Sequence, residues 1–148
     1  MATLIRNKKA TFNYEVMEKF EAGIELFGFE VKSIKSKHGN IEGSHITIRG
    51  GEAFLLNSNI PPYQPVNTPA SYDRERNRRL LLTKKELKEL QSFEEKRGLT
   101  IVPISMYTKG NKIKVEIAVV RGKKKFDKRE DIKKRDTERD IQREVKIG

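Results

Sequence analysis

The chain contains no cysteine and only two histidines, His38 and His45. Without cysteine there is neither a disulfide framework nor a thiolate nucleophile, a composition compatible with the cytoplasm. With so few imidazoles as well, a zinc site has almost no ligands to draw on. No apolar run approaches the roughly 20 residues that a membrane-spanning helix requires. Residues 1–9 are too short and polar for a secretory leader. No internal repeat is visible, no serine sits in a nucleophile-elbow context, and no phosphate-binding loop follows the pair Gly50-Gly51. An enzyme is therefore poorly supported, and neither a metal nor a cofactor is expected.

What abounds is positive charge. Among 148 residues, 32 Lys/Arg stand against 21 Asp/Glu, a formal net charge of +11. The length suits one domain, residues 1–120, and an appendage, residues 121–148. The appendage carries 12 Lys/Arg and 7 Asp/Glu, so it holds +5 and the body +6. Basicity spread over both parts favours a polyanionic partner, nucleic acid or an anionic membrane. Membrane is the weaker choice, because the tail lacks the Trp/Phe/Leu face that interfacial helices bury. Its sizeable apolar side chains are Phe126, Ile132, Ile141, Val145 and Ile147, too few to offset the ordering cost of a packed element. Wound at roughly 100° per residue, Arg121, Lys124, Lys125, Lys128, Arg135, Arg139, Arg143 and Lys146 fall within about 60° of one line. Glu130–Lys134 and Asp131–Arg135 add (i, i+4) pairs. Such a segment suits folding against a polyanion; a solvated helix of mixed charge has the same pattern.

The body reads as mainly β with a few helices. Residues 12–26 alternate apolar and polar, with Phe12, Tyr14, Val16, Phe20, Ala22, Ile24 and Leu26 on one side. That predicts one long strand, or two across a bend, with Gly23 as a candidate bulge. Val31 and Ile34 suggest a short helix over residues 29–37. Residues 45–49 and 52–57 flank Gly50-Gly51 as a hairpin. Residues 59–71 hold four of the five prolines and should form an irregular loop. Residues 80–82 are a short strand. Thr83 and Glu86 make a capping box for a helix carrying Leu87, Leu90 and Phe93, with Gly98 at its C′ position. Residues 99–107 and 112–120 are two further strands, and Pro103 belongs at an edge or bulge. Six or so strands with short helices favour a small, closed or nearly closed antiparallel barrel; a β-sandwich is the alternative.

Several residues are candidates for chemistry. Arg74, Arg76, Arg78 and Arg79 cluster at the end of the proline-rich loop, where guanidinium groups would grip phosphates or stack on bases. Tyr63 and Tyr72 would stack on unpaired bases. The competing reading pairs the arginines with Asp73 and Glu75 and lays the tyrosines on the barrel wall. Glu30, Lys32 and Ser33 would meet RNA through 2′-hydroxyl, phosphate and backbone groups. Glu18, Glu21, Glu25 and Glu30 are the carboxylates that a metal-dependent nuclease would use. A constitutive ribosomal-RNA-binding barrel is the rival among binding proteins.

Particular strings carry a resemblance. They include Asn7-Lys8-Lys9-Ala10, Glu21-Ala22-Gly23-Ile24, Gly28-Phe29-Glu30-Val31-Lys32-Ser33, Asn40, Asn59-Ile60, Pro62-Tyr63, and Arg76 through Leu82. Gly98-Leu99-Thr100-Ile101-Val102-Pro103 and Arg121-Gly122-Lys123-Lys124-Lys125-Phe126-Asp127-Lys128-Arg129 continue the set. Over nearly its whole length the chain resembles the small protein B family, the SsrA-binding proteins of bacterial trans-translation. The resemblance implies an OB-like barrel with short outer helices and a basic C-terminal tail, disordered when free and helical on the ribosome. It implies binding to the tRNA-like domain of transfer-messenger RNA (tmRNA) and delivery of that RNA to stalled ribosomes, for rescue and for peptide tagging for degradation. Elongation factor Tu and alanyl-tRNA synthetase would be met through the RNA. Carried over by position, Glu30, Lys32, Ser33, Asn40, Asn59, Tyr63, Arg76 and Arg78 fall to RNA binding. Gly122, Lys123, Lys124, Asp127, Lys128 and Arg129, with the basic line Arg135, Arg139 and Arg143, fall to the decoding centre and mRNA channel of the small ribosomal subunit. The chain departs from the family pattern at Pro62, at Val66 and in residues 72–77, so the roles of Arg74 and Tyr72 do not carry over.

Overall fold

A computed structural model describes residues 2–122 of the chain. The expectations for Lys123, Lys124, Asp127, Lys128, Arg129, Arg135, Arg139 and Arg143 fall outside the described residues. In chain order the elements are β1 (Ala2–Arg6), α1 (Ala10–Asn13), β2 (Tyr14–Ile24), α2 (Gly28–Lys35), β3 (His45–Arg49), β4 (Glu52–Leu56), β5 (Arg78–Leu81), α3 (Lys84–Glu94), β6 (Leu99–Lys109) and β7 (Lys112–Gly122). A 3-10 turn at Pro65–Asn67 interrupts the long loop.

Local chemistry accounts for several of these boundaries. Gly50 and Gly51 both take positive φ, 58° and 75°, as a two-residue hairpin turn of the primed type requires and as glycine allows without a Cβ clash. β3 and β4 therefore pair in register, Arg49 opposite Glu52. The hydroxyl of Thr83 accepts the Glu86 N–H at 3.2 Å, and the Glu86 carboxylate accepts the Thr83 N–H at 3.0 Å. This reciprocal cap starts α3 where the sequence placed it. The helix stops at Glu94, however, with Glu95 as its C-cap. Gly98, expected at C′, instead takes its positive φ of 83° in the turn leading to β6.

One antiparallel sheet results, in the order β1-β6-β7-β2-β5-β4-β3. It curls until β3 lies against β6, but β1 and β3 form no ladder with each other, so the OB-like barrel is open rather than closed. β1 is a seventh strand that the sequence pattern did not announce. Inside the curl, Ile34 of α2 and Leu90 of α3 meet Ile46, Leu55, Leu80, Ile101, Met106, Val115 and Ile117. Each such side chain contributes roughly 1.5–3 kcal/mol by leaving water.

The long alternating segment departs from expectation. Phe12 lies in α1, not in a strand. The β2–β7 register slips between Val16 and Glu18, so Met17 is an extra residue and the alternation changes face there. Val16 and Met17 consequently stay exposed while Phe20 and Ala22 enter the core. Gly23 is not a bulge. It pairs with Lys114 on one side and Leu81 on the other, and a Cβ there would stand 3.2 Å from the Leu81 Cβ. Pro103 does lie at a bulge, with the β6–β7 register shifting between Pro103 and Ser105.

Candidate nucleic-acid interface

The sheet brings β5 beneath the start of α2, and this meeting builds the site. Glu30, the third residue of α2, turns its carboxylate back to accept the Phe27 N–H at 2.8 Å, relieving one of the unpaired donors of a helix N-terminus. The same carboxylate receives Arg78 Nε at 3.0 Å and Arg78 Nη2 at 2.7 Å, both on Oε2. Arg76 also reaches it, through Nη2 on Oε1 and Nε on Oε2. The Tyr72 hydroxyl lies 2.8 Å from both Glu30 Oε2 and the Ile60 carbonyl, and accepts Arg78 Nη2 at 3.0 Å. Arg78 spends its remaining donors on Ser58 Oγ at 2.9 Å and on the carbonyls of Arg74 and Arg76, each at 2.9 Å. The side chains of Glu30 and Arg78 are both 0% exposed.

A charge pair without water survives only when its donors and lone pairs are used up, and these are. Burial alone would raise the Glu30 pKa. The hydrogen bonds from Arg76, the Phe27 N–H, Arg78 and Tyr72 outweigh it and hold the carboxyl below its ordinary range. Tyr72 is pushed up to about 12, by burial first and then by its hydrogen bond to Glu30. The network thus links α2, β5 and the long loop through side-chain and backbone hydrogen bonds. The Asn40–Asn59 bridge extends it, with each N–H donating to the other's carbonyl at 2.8 Å, and Asn59 Oδ1 accepting Arg74 Nε at 3.2 Å.

An aromatic surface covers this scaffold. The Arg76 guanidinium lies 4.2 Å from the centroid of the Phe27 ring. Phe27 and Phe29 stand 5.5 Å apart, and Phe29 meets Tyr72 edge-on at 4.7 Å. Together with Pro69, Ser71 and Asp73 they enclose an open cavity of about 420 Å³. Stacking planes beside fixed cations suit unpaired nucleic acid better than a small metabolite. The nuclease carboxylates do not converge. Glu30 is committed to its arginines, Glu25 pairs with Arg79, and Glu21 accepts from Tyr107 and Lys109. Among the described residues, no group of three or more His, Cys, Asp or Glu side chains is placed to hold a metal ion.

A model of the SmpB protein family matches residues 4–147. The chain belongs to that family. It is 48% identical over 147 residues to the SsrA-binding protein of Malacoplasma penetrans (strain HF-2), covering 99% of this chain and 100% of that one. To the SsrA-binding protein of Mesoplasma florum (strain ATCC 33453 / NBRC 100688 / NCTC 11704 / L1) it is 51% identical over 140 residues, covering 95% and 94%. A solved structure described as "tmRNA-SmpB: a journey to the center of the bacterial ribosome" superposes with a TM-score of 0.70 at 39% identity. The match covers 84% of this chain and 87% of that one.

Against this SmpB-family background, the positions singled out in the sequence divide into two kinds. Glu30, Arg78, Arg76, Asn59 and Asn40 come together in the connected network just described. Glu30, Ser33 and Arg78, all expected to meet RNA, are fully buried. The Ser33 hydroxyl donates to the His38 carbonyl, at 3.5 Å. Lys32 and Asn40 are exposed, Asn59 and Arg76 half-buried. Tyr63 stands apart in the loop, 45% exposed. Gly122 ends β7 opposite Tyr14. The expected alternative partners Asp73 and Glu75 pair with none of the four arginines; Arg76 and Arg78 turn to Glu30, and Arg79 to Glu25 and Glu52. Sequence reasoning missed Phe27 and Ser58. Phe27 did carry a signal, as a large aromatic side chain placed immediately before the glycine that begins the helix.

Proposed function

We propose that this chain is the RNA-binding factor of trans-translation, acting in the cytoplasm. It binds the tRNA-like domain of tmRNA and delivers it to ribosomes stalled without a codon, so that rescue and peptide tagging follow. The family match along almost the entire chain carries this reading. The surface over α2 and the long loop supports it, because it offers rings, guanidinium groups and the exposed Lys32. In this reading Lys32, Arg76, Asn40, Asn59 and Tyr63 touch RNA, while Glu30, Ser33 and Arg78 hold them in place. Elongation factor Tu and alanyl-tRNA synthetase are reached through the RNA.

Residues 123–148 serve the ribosome in this scheme. Their basic line faces rRNA in the decoding centre and mRNA channel, where mRNA and tail exclude each other. A rescue factor needs that discrimination, and it comes from competition for space rather than from base reading.

Pulldown of the full chain from bacterial lysate, followed by sequencing of the bound RNA, tests the reading. One dominant RNA with a tRNA-like end is expected. Ribosomal RNA alone would point to a constitutive rRNA-binding barrel instead. Deleting residues 123–148 should leave affinity for the tRNA-like domain within a few-fold and abolish tagging. A large loss of affinity would overturn the division of labour.

A further inference from the structure

The cavity over the Glu30 network has features that a nonspecific stacking platform does not need. Its volume, about 420 Å³, falls within the roughly 300–1,000 Å³ of small-ligand sites. Its walls are flat: the rings of Phe27, Phe29 and Tyr72 and the guanidinium plane of Arg76. Arg76 is immobilised over Phe27 by its ion pair with Glu30, so the stacking geometry exists before any ligand arrives. Phe27 is nevertheless 50% exposed, an unusual state for a ring so carefully positioned. One carboxylate, Asp73, stands in the cavity wall. Its Oδ1 accepts the Glu75 N–H at 2.9 Å, and its Oδ2 has no partner among the described residues.

We infer that this cavity receives a single unpaired guanine of the bound RNA. The inference rests on the RNA-binding reading above and adds the identity of the base. A carboxylate accepts hydrogen bonds and donates none. Guanine alone offers it two adjacent donors, N1–H and the N2 amino group, on the Watson–Crick edge. Adenine and cytosine each offer only an amino group there. Uracil sets its N3–H between two carbonyl oxygens that repel the carboxylate. The base stacks on the exposed aromatic surface that Arg76 and Glu30 hold in place, and Asp73 reads its edge. The exposed Lys32 and Arg74 supply positive charge for the flanking phosphates.

The test uses the full chain and a transcript of the tRNA-like domain of tmRNA, probed with kethoxal, which modifies the N1/N2 edge of unpaired guanines. The wild-type chain is expected to protect one unpaired guanine. Asp73→Asn should expose that guanine again, and Phe27→Ala should weaken binding roughly tenfold. Asp73→Asn should melt with the wild type, since its side chain lies at the surface. Phe27→Ala, which loses its contacts with Arg76 and Phe29, should melt lower but still as one cooperative unit. If the wild type binds the transcript and no guanine is protected, or if protection survives Asp73→Asn, the guanine pocket is wrong and RNA binding stands. If the wild type does not bind the transcript, the functional reading falls and takes this inference with it.

Discussion

Arg78 and Arg79 are neighbours in β5, carry the same side chain and both pair with glutamates, yet they inhabit different physical worlds. Arg78 is wholly buried against Glu30, and its donors are taken by a carboxylate, a hydroxyl, a phenol and three carbonyls. Arg79 points to the opposite face, 44% exposed, and bridges Glu25 at 3.0 Å and Glu52 at 3.3 Å. A two-residue period decides which arginine goes inward. The contrast teaches that an ion pair becomes structural when water is excluded and every lone pair is answered. In solvent the same chemistry only decorates a sheet.

The sharpest way to break the buried member is Glu30→Ala. It strands the Arg78 guanidinium and unties Arg76, so the expected loss is about 3–5 kcal/mol of stability, read from the denaturant midpoint. Affinity for the tRNA-like domain should collapse with it, because Arg76, Tyr72 and the Phe27 ring lose their common anchor. A variant that melts with the wild type would show that the network is ornamental.

Titration asks the same question without removing atoms. The folded-state pKa of Glu30 is depressed, so its contribution is complete above the ordinary carboxylate range. It is lost as pH falls through the folded value. Tyr72 works from the other end. Its pKa is raised from 10.0 to about 12, so its contribution is present below about pH 10 and disappears as pH climbs towards 12. Stability measured against pH should therefore fall on both flanks. In Glu30→Gln the acid flank should flatten, and Tyr72 should ionise at lower pH. An unchanged acid flank would mean that other carboxylates dominate acid unfolding.

Tyr72→Phe is a milder cut into the same cluster. It removes one hydroxyl that serves Glu30 and the Ile60 carbonyl and accepts from Arg78. A loss of about 1–3 kcal/mol is expected for groups left unsatisfied in a buried site. Thermal or chemical melting of the variant beside Glu30→Ala would rank the two.

The comparison also explains which parts of the molecule were legible in the sequence. The Gly50-Gly51 hairpin, the Thr83–Glu86 cap and the Pro103 bulge depend on chemistry within a few residues, and each lies where the pattern put it. The Met17 bulge is different. Nothing in residues 14–24 marks it, because it is imposed by the register against β7, more than 90 residues away. Likewise Arg78 looked like one of four surface cations, since its partner Glu30 lies 48 residues earlier. β1 was missed for a related reason: five residues with the adjacent pair Leu4-Ile5 show no period, and only pairing with β6 makes them a strand. The candidate site was legible as a set of residues through the family strings. Its division into a buried scaffold and an exposed surface was not, because burial is a property of the fold.

Arg79→Ala closes the series as the smallest expected effect. Its two ion pairs sit in high dielectric, with Glu25 and Glu52 side chains 53% and 46% exposed. Exposed pairs of this kind contribute about 0–1 kcal/mol, and salt screens them further. The variant should melt within about a degree or two of the wild type, and the difference should shrink in high salt. If Arg79→Ala instead destabilised as much as Glu30→Ala, exposure would not be what separates the neighbours. The cause would then lie in their shared strand, in how β5 joins β2 to β4.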